Sequence, residues 1–561
     1  MTGLTAHQAK KITLLVLGSI ALFLGNFFLV RFFNTLIWPY LWPQPGIYII
    51  VGFIVFALWF PELFSGIWAL RATGILMVFV GECYLLHSLQ VTIDEFSFIT
   101  ALHFFGTFGT FLVMLLSFLN QLRSKNNKLP RPLPGELPYV AAVIPTYGEP
   151  LNILQDTLLS LKQLNYPKEK LFIVISDDGH RKQVEALTKE HGVAYNLGPQ
   201  KNAKAGNLNS ALEFLNREFP QASLVLTQDA DEIVSPSFLK KTVGYFTDPK
   251  MAFVQTPKEA IAPPGDPFGV RDRVFYDTIQ PGRNGAGAAF SCGSGVIWRL
   301  SAVESIGGFA TWNIVEDLTT SYLLHSVGYR SEYHNEILTV GLAPDDIPGL
   351  LKQRGTWATD TWRLFLFKNP VITPGLTLSQ RLQYLELGLF YVTSAFFMPA
   401  LLLVPILSLL TGQFVPIEGS ALFPWIGASF FYYLVLAKGR SEFLARMWQY
   451  WISHAPTYQK AFWIAIRSRK KKPSYKVTRK TRQDGFYGTM LWPQFLYIFL
   501  GVLAVLNSFL RLHYVDVATK VANVSVLLFF MFMVGSICKA AFYGWKPQIL
   551  KTVWTPAVEA E

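Results

Sequence analysis

The sequence predicts an α/β domain inserted between two groups of transmembrane helices, and three observations support this. Hydrophobic residues make up 51% of the 561 residues and charged residues only 15%, whereas an ordinary soluble domain has about 25% charged residues. Apolar runs long enough to cross a bilayer lie towards both ends of the chain. Between them, short β-branched runs alternate with segments of helical period. The composition excludes a disordered chain and a purely soluble fold.

The apolar runs predict eight membrane spans in two groups of four. They are residues 12–33, 48–60, 66–86 and 98–119, then 385–410, 421–436, 490–510 and 521–542. The second of each group is short, since a bilayer needs about 20 apolar residues. The first run is too long for a signal peptide, lacks a small-residue cleavage site and is followed by further spans.

Lysine and arginine predict the orientation of these spans. The formal net charge is +12, and basic residues are concentrated in a Pro-rich linker and in the stretch 467–482, where nine of sixteen residues are basic. Three of the predicted loops on the other side contain no Lys or Arg; they are 34–46, 87–97 and 412–419. Arg511 and Lys520, in the last predicted outer loop, are the exceptions. The positive-inside rule then predicts an inner (plasma) membrane protein with a cytosolic central domain. Contact with anionic lipid explains most of this charge, so we expect no nucleic-acid partner.

The same signals divide the chain into seven segments. They are spans at 1–119, a basic linker at 120–134, the cytosolic domain at 135–372, spans at 373–437, interfacial helices and a loop at 438–488, spans at 489–545 and a cytosolic tail at 546–561. Three well-separated cysteines exclude a disulfide scaffold.

The central domain is predicted to contain a mostly parallel sheet with helices on both faces. The predicted strands are 140–145, 171–176, 224–228 and 252–255, and the predicted helices are 152–164, 182–191, 208–217 and 236–246.

Carboxylates follow two of these strands. Asp177 and Asp178 end the second strand, and Asp229 and Asp231 follow another. Ligands of open α/β sheets bind beyond the carboxyl ends of the strands, and two carboxylates at i and i+2 can share a divalent cation with phosphates. Either motif alone is explained equally well as a turn or as the start of a helix. Both motifs in one domain, roughly fifty residues apart, favour a functional site.

Two further motifs bring a cation and a candidate base. Lys204 lies among small residues before a predicted helix, where it can bind an anion or simply belong to a helix cap. Glu316 and Asp317 open an apolar helix. Carboxylates are favoured in a first helical turn in any case, but one here can also act as a general base towards a hydroxyl.

Gln353, Arg354 and Trp357 combine polar donors with an aromatic face. A Trp ring can stack on a sugar, and Arg or Gln can bind phosphate oxygens. A lone Trp near a membrane can equally be an interface anchor.

The order Asp-Asp-Gly, Lys-Ala-Gly-Asn, Asp-x-Asp, Glu-Asp and Gln-x-x-x-Trp resembles the family-2 glycosyltransferases with a GT-A (Rossmann-like) fold. Within that family it is most similar to bacterial cellulose synthase catalytic subunits. The stretches 289–294 and 254–257 resemble the acceptor-site segment and another stretch of that family, and 475–480 resembles its gating loop. The resemblance runs from about residue 138 to 542.

The resemblance implies a donor site for a UDP-sugar. Asp177, with Asp178 beside it, would bind the donor through its nucleoside, and Asp229 and Asp231 would place UDP and Mg²⁺ or Mn²⁺. The groups that would neutralise the diphosphate are Lys204, Gln353, Arg354, Thr478 and Lys480.

It also implies an acceptor site for a growing glycan. Asp317, next to Glu316, would deprotonate the terminal hydroxyl, and Trp357 and Cys292 would line the acceptor. One carboxylate base without a second carboxylate nucleophile fits a single inverting displacement that gives a β-linkage.

The chain departs from the family pattern at several positions. Thr356 stands where the family has Arg, Val315 where it has Thr, and Lys258 where it commonly has His. We expect no cyclic di-GMP-sensing PilZ domain, because the chain ends about twenty residues after the last predicted span.

The leading hypothesis is a processive UDP-sugar transferase that makes and exports a β-glucan, most simply cellulose from UDP-glucose. Its expected partners are the donor, the glycan, membrane lipids and export subunits. The alternatives are a synthase of another polymer (β-1,3- or mixed-linkage glucan, a chitin-like chain or hyaluronan), a non-processive transferase acting on a lipid, and a transporter that only binds a nucleotide sugar.

Overall fold

The computed structural model describes residue 28 and residues 66–263, 265–417, 419–437, 441–473 and 485–542. The predicted span 48–60, all but one residue of the span 12–33 and the tail 546–561 lie outside the described residues. So do Thr478 and Lys480 of the predicted gating loop.

The chain forms two compact units, residues 1–115 with 413–440, and residues 116–412 with 441–561. In the first unit the described helices are α1 (Ile67–Asp94), most of α2 (Phe98–Gln121) and a third that lies later in the chain (Gly419–Leu436). Tyr84 stacks on Trp425 of this third helix with ring centroids 6.2 Å apart. The side chain of His103 lies between the hydroxyls of Tyr84 and Ser88, at 3.0 Å from each.

The second unit contains a seven-stranded sheet. Its strands in chain order are β1 (Tyr139–Thr146), β2 (Leu171–Asp177), β3 (Ala194–Leu197), β4 (Ala222–Thr227), β6 (Met251–Gln255), β8 (Val296–Arg299) and β9 (Arg330–Tyr333). Their spatial order is β3-β2-β1-β4-β8-β6-β9. Every pair is parallel except the two that β8 makes with β4 and β6. The predicted strands and the mostly parallel sheet are confirmed.

A smaller sheet of three strands lies beside the first. It comprises β5 (Glu232–Val234), β7 (Lys258–Ile261) and β10 (Thr339–Leu342), with β10 in the middle. The first strand of this sheet begins directly after Asp231. A strand, not a helix, therefore follows the Asp-Ala-Asp motif.

Helices cover both faces of the large sheet. They are α3 (Leu151–Lys162), α4 (Lys182–His191), α5 (Ala203–Glu218), α6 (Phe238–Thr242), α7 (Gln280–Gly285), α8 (Leu300–Ser305) and α9 (Asp317–Ser326). Along β1, Val140, Ala142 and Ile144 pack into one hydrophobic cluster, and Ala141 and Val143 pack into the other. The strand is buried on both faces because helices lie over each of them.

The remaining helices of this unit continue towards and through the second apolar region. They are α10 (Ile347–Phe367), α11 (Leu378–Val392), α12 (Met398–Thr411), α14 (Ser441–Ser453), α15 (Ala455–Arg467), α16 (Trp492–Leu510) and α17 (Val517–Ala540), with the helix Gly419–Leu436 of the first unit as α13. A π-helical turn, Thr393–Phe397, joins α11 to α12 in one continuous helix. Among the described residues, α10 packs on α15 through Trp362 against Ala461 and Tyr458.

Five described helices are long and apolar enough to cross a membrane. They are Ile67–Asp94, Phe98–Gln121, Leu378–Thr411, Gly488–Leu510 and Val517–Ala540, and Ala421–Leu436 is a shorter apolar helix. They coincide with six of the predicted spans, and they flank the α/β domain in the chain. The chain is a membrane protein.

Candidate active site

The acidic motifs meet at one edge of the large sheet. β1, β2 and β4 are parallel neighbours, so their carboxyl ends lie side by side, where open α/β sheets bind ligands. Asp177 ends β2, and Asp229 follows β4 by two residues. The backbone N–H of Asp229 donates to the Ser294 hydroxyl at 2.8 Å, which holds this loop against the segment that enters β8.

The Asp177 carboxylate organises the turn that follows β2. It is fully buried and accepts the backbone N–H groups of Gly179 at 3.0 Å and Arg181 at 2.6 Å. The Arg181 side chain also pairs with it at 3.3 Å and donates to the Thr146 hydroxyl at 2.6 Å. Asp178 accepts the backbone N–H of Gln200 at 2.5 Å, and burial raises its pKa. Asp177 thus has a clear role in the turn, and its part in binding a nucleoside stays a prediction.

Lys204 links the Asp-x-Asp motif to the Glu-Asp motif. Its helix, α5, begins at Ala203, five residues before the predicted start, which puts Lys204 in the first turn. Its Nζ lies 2.6 Å from Asp229 Oδ1 and 3.3 Å from Glu316 Oε1, and it donates to the carbonyl of Gly293 at 2.7 Å. Burial alone would lower the pKa of Lys204, but the two carboxylates outweigh burial and raise it. Lys204 therefore carries its charge at neutral pH.

The small residues of the Lys-Ala-Gly-Asn motif pack α5 against its surroundings. A Cβ on Gly206 would lie 1.8 Å from the carbonyl oxygen of Lys201, so only glycine fits there. Asn207 is buried, and its side-chain amide donates to the Ser176 carbonyl at 2.8 Å. These two residues fix the position of Lys204 relative to the end of β2.

Glu316 and Asp317 stand at the start of α9, as predicted. Glu316 is buried beside Lys204. Burial, together with the neighbouring Glu316 carboxylate, raises the pKa of Asp317 to about 7. Gly293 adopts φ +88°, and a Cβ there would meet Asp317 Oδ2 at 3.1 Å and Lys204 Nζ at 3.4 Å. The glycine thus leaves open the space that the carboxylate and the ammonium share.

Cys292 lies next to this space with a protonated thiol. Burial, with a further contribution from the Asp317 carboxylate, raises its pKa to about 12. Its backbone N–H donates to Gln255 Oε1 at 2.7 Å, and the Gln255 amide donates to the Ser294 carbonyl at 2.9 Å. The Gln-Thr-Pro stretch therefore holds the segment that carries Cys292.

Gln353, Arg354 and Trp357 lie on α10. The Arg354 guanidinium binds Asp272 at 2.8 Å and the Gly269 carbonyl at 3.0 Å, and it lies 4.8 Å from the centroid of the Trp357 ring. Sequence reasoning missed Asp272, which lies in a loop more than eighty residues earlier. The hydroxyl of Thr356 donates to the Lys352 carbonyl within the same helix.

A second ion pair stands beside the Asp-x-Asp motif. Lys258, the residue that replaces His, binds the fully buried carboxylate of Glu232. Burial alone would lower the pKa of Lys258. The negative charge of Glu232, with smaller contributions from Asp229 and Asp231, outweighs burial and raises this pKa. Glu232 gave no sequence signal, because a single Glu after an Asp is uninformative without its partner.

The donor set of Asp229 and Asp231 fits Mg²⁺ or Mn²⁺. Such ions are commonly held by one or two carboxylates together with substrate phosphates and water. Within the described ranges, no group of three or more His, Cys, Asp or Glu side chains forms a complete metal site. Two carboxylates leave coordination positions that substrate phosphates and water can fill.

Comparison with known proteins identifies the class of enzyme to which the central domain belongs. The family described as "Glycosyltransferase like family 2" matches residues 138–359, which contain the whole large sheet and Trp357. The chain therefore carries a family-2 glycosyltransferase domain with a GT-A fold. The family described as "Cellulose synthase" matches residues 303–438, and the domain is homologous to bacterial cellulose synthase catalytic subunits. The resemblance inferred from the motifs is confirmed.

Curated relatives agree with this assignment. Cellulose synthase 2 of Novacetimonas hansenii is 35% identical over 290 residues, 49% of this chain and 18% of that protein. The UDP-forming catalytic subunit of Xanthomonas axonopodis pv. citri is 34% identical over 49% of this chain and 39% of that protein. That of Komagataeibacter sucrofermentans is 33% identical over 58% and 44%. The match thus spans less than half the length of these relatives.

Among solved structures, the mannosyltransferase PcManGT from Pyrobaculum calidifontis, in complex with GDP-Man and Mn²⁺, has a TM-score of 0.49 and 19% identity over 66% of this chain and 98% of that chain.

Proposed function

We propose that the protein is a processive, inverting β-glycosyltransferase that polymerises a sugar from a UDP-sugar and exports the polymer through its membrane helices. The simplest case is UDP-glucose converted to cellulose or a related β-glucan. The names of the UDP-forming relatives support this donor class.

One observation carries the proposal. The ammonium of Lys204 lies within 3.3 Å of carboxylates from both acidic motifs, Asp229 and Glu316, with Asp317 the next residue. An acceptor hydroxyl near Asp317 could then attack the anomeric carbon of a sugar whose diphosphate lies near Asp229. The new bond joins the hydroxyl oxygen to that carbon, the bond from the carbon to the diphosphate breaks, and UDP leaves. An enzyme that joins a sugar to an acceptor needs this proximity.

On the donor side, Asp229 and Asp231 would hold the diphosphate through Mg²⁺ or Mn²⁺, and Lys204 would supply a fixed positive charge. The bound cation would neutralise charge that develops on the leaving diphosphate. Asp177, Asp178, Gln353, Arg354, Thr478 and Lys480 are further proposed donor contacts.

On the acceptor side, Asp317 would take the proton of the attacking hydroxyl. A pKa of about 7 suits a general base at neutral pH. Because the base must be ionised, activity should fall as the pH drops through about 7. Trp357 would stack on the acceptor sugar, with Cys292 close by.

The membrane arrangement is also a proposal. Basic residues in 120–134 and 467–482 favour a cytosolic domain in the inner (plasma) membrane. The polymer would leave through the membrane helices, with lipids and export subunits as partners.

The test is UDP release by the detergent-solubilised full chain with Mg²⁺ or Mn²⁺. UDP-glucose, UDP-N-acetylglucosamine, UDP-galactose and UDP-glucuronate are supplied singly, and the product is digested with linkage-specific glycosidases. A long, cellulase-sensitive product from UDP-glucose is expected. A cellulase-resistant polymer would indicate a different linkage. A short lipid-linked product would indicate a non-processive enzyme. UDP binding without turnover of any donor would contradict the proposal.

A further inference from the structure

Asp360 is a buried carboxylate that the proposed reaction does not use. It lies on α10, and only 1% of its surface is exposed. Its two oxygens accept consecutive backbone N–H groups, from Ile314 at 3.0 Å and Val315 at 2.7 Å. The next residues in the chain are Glu316 and Asp317. The Asp360 carboxylate therefore binds the backbone immediately before Glu316 and the proposed base, Asp317.

Arg363, nearly one turn further along α10, binds the same loop. It is buried, and its guanidinium donates to Asn313 Oδ1 at 2.9 Å and to the Trp312 carbonyl at 3.0 Å. It also donates to the carbonyl of Lys471 at 3.2 Å. The Asn313 amide in turn donates to the Asp360 carbonyl at 3.1 Å. Residues 312–315 are thus bound to α10 along their whole length.

The loop needs this external support. The residue that caps the N-terminus of α9 is Glu316, and its side chain makes no capping hydrogen bond. In this first turn the backbone N–H of Leu318 donates to Asp317 Oδ1 at 2.6 Å, but a helix start without a capping side chain has a weakly fixed entry. The contacts from Asp360 replace the local restraint that a Ser, Thr or Asp cap would give.

We propose that Asp360 is a positioning residue that holds the loop 312–315 so that Asp317 keeps a fixed distance from Trp357. Asp360 comes three residues after Trp357 on the same helix. One rigid helix therefore carries both the Trp proposed to stack on the acceptor sugar and the carboxylate that holds the loop before the base. The inference rests on the proposed function, since it concerns the base of that reaction.

The test is the Asp360→Asn variant in the full chain. An amide has one acceptor oxygen, so one of the two backbone N–H groups loses its partner and faces an NH₂ group. A misplacement of about 1 Å can cost 10²-fold in rate. We expect kcat for UDP release to fall by about 10- to 100-fold, whereas KM for the donor stays within about twofold because the donor residues are untouched.

The dependence of kcat on pH distinguishes a positioning role from a purely structural one, because a loss of stability alone would not shift the pKa of the base. The charged groups facing Asp317 are Glu316 from its own helix, Lys204 from α5 and Asp360 from α10. Burial raises the pKa of Asp360 itself to about 7, and Arg363 and Lys472 face it; while it is ionised, Asp360 raises the pKa of Asp317. Its neutralisation in Asp360→Asn should therefore lower that pKa. The acid limb of kcat against pH should move to lower pH.

Two further variants separate geometry, charge and helix stability. Asp360→Glu keeps the charge but lengthens the side chain, so kcat should fall while the acid limb stays near its wild-type position. Asp346→Asn changes the N-cap of α10, where the side chain accepts the backbone N–H of Gly349. Because Asn is also a good cap, it should leave kcat and the pH profile unchanged.

Thermal unfolding and UDP binding are measured on each variant to confirm folding. If Asp360→Asn does not fold, Asp360→Glu tests the geometry alone. The inference is overturned if the folded Asp360 variants keep wild-type kcat, or if Asp346→Asn lowers kcat as much as they do. A wild-type chain that releases no UDP would instead contradict the proposed function.

Discussion

The loops that carry Asp229 and Glu316 contribute to the candidate site, and so does helix α10, but the two regions use their polar groups differently. In the loops, Asp229 and Glu316 share the ammonium of Lys204 across an open space. On α10, Arg354 is bound to Asp272, and Asp360 is bound to backbone N–H groups of the base loop. The loops thus present groups that can react, and the helix supplies the framework that fixes their distances.

The strongest test of the loop side is Asp317→Asn. The variant lacks a general base, so UDP release should fall by about 10³- to 10⁴-fold. UDP binding, measured by calorimetry, should stay near the wild-type value because the base does not contact the donor in the proposed mechanism. The matched control is Glu185→Gln, at a partly exposed ion pair with Lys189 on α4. Unchanged polymer yield in Asp317→Asn would show that another group is the base.

Lys204→Met tests the link between the acidic motifs. Loss of a fixed positive charge at a developing anion costs about 10²- to 10³-fold in kcat. Lys204 also lowers the pKa of Asp317, so its removal should raise that pKa and move the acid limb to higher pH. This is the opposite direction to Asp360→Asn. A shift to lower pH in both variants would contradict the geometry described for the base.

Removal of divalent cations tests the Asp229 and Asp231 pair. EDTA should reduce UDP release by about 10²-fold, and Mg²⁺ or Mn²⁺ should restore it. Calorimetry of UDP with and without Mg²⁺ supplies a readout that does not depend on turnover. Full activity in EDTA would mean that Lys204 and Lys258 supply the positive charge without a metal.

The smallest kinetic effect is expected for Arg354→Ala on α10. If Arg354 serves mainly its ion pair with Asp272, the variant should unfold at a lower temperature and keep kcat within about threefold. Asp272→Asn should then behave in the same way, which thermal unfolding followed by fluorescence will show. A large rise in the donor KM for Arg354→Ala alone would instead make it a diphosphate ligand, as the sequence predicts.

The sequence was most informative where local pattern decides structure. The runs that became β1, β2, β4 and β6 were predicted within about two residues, because strands buried on both faces are continuously apolar. The carboxylates at 177, 178, 229 and 231 are identifiable as loop residues because each pair ends or closely follows one of these apolar runs. The start of α5 was misplaced by five residues, since Asn202 and Ala203 adopt positive φ at its entry, which no local propensity predicts.

Groups that depend on tertiary partners could not be predicted. Asp360 and Asp272 acquire meaning only from contacts more than forty residues away. The basic stretch near residue 472 predicts mainly a lipid contact, yet Lys472 donates to the carbonyl of Asn202 at 3.0 Å, beside the start of α5. A positive charge near a membrane has several uses, and the sequence does not separate them.

Gly206 bears on how variants of this protein are interpreted. Any other residue at this position would force a carbon atom against the carbonyl of Lys201 and so displace the first turn of the helix. A screen that scores only polymer yield would then rank position 206 beside Asp317, although glycine takes no part in chemistry. Loss of yield in such a screen identifies the parts that must fit together as readily as the parts that react, and a paired measurement of protein abundance would distinguish them.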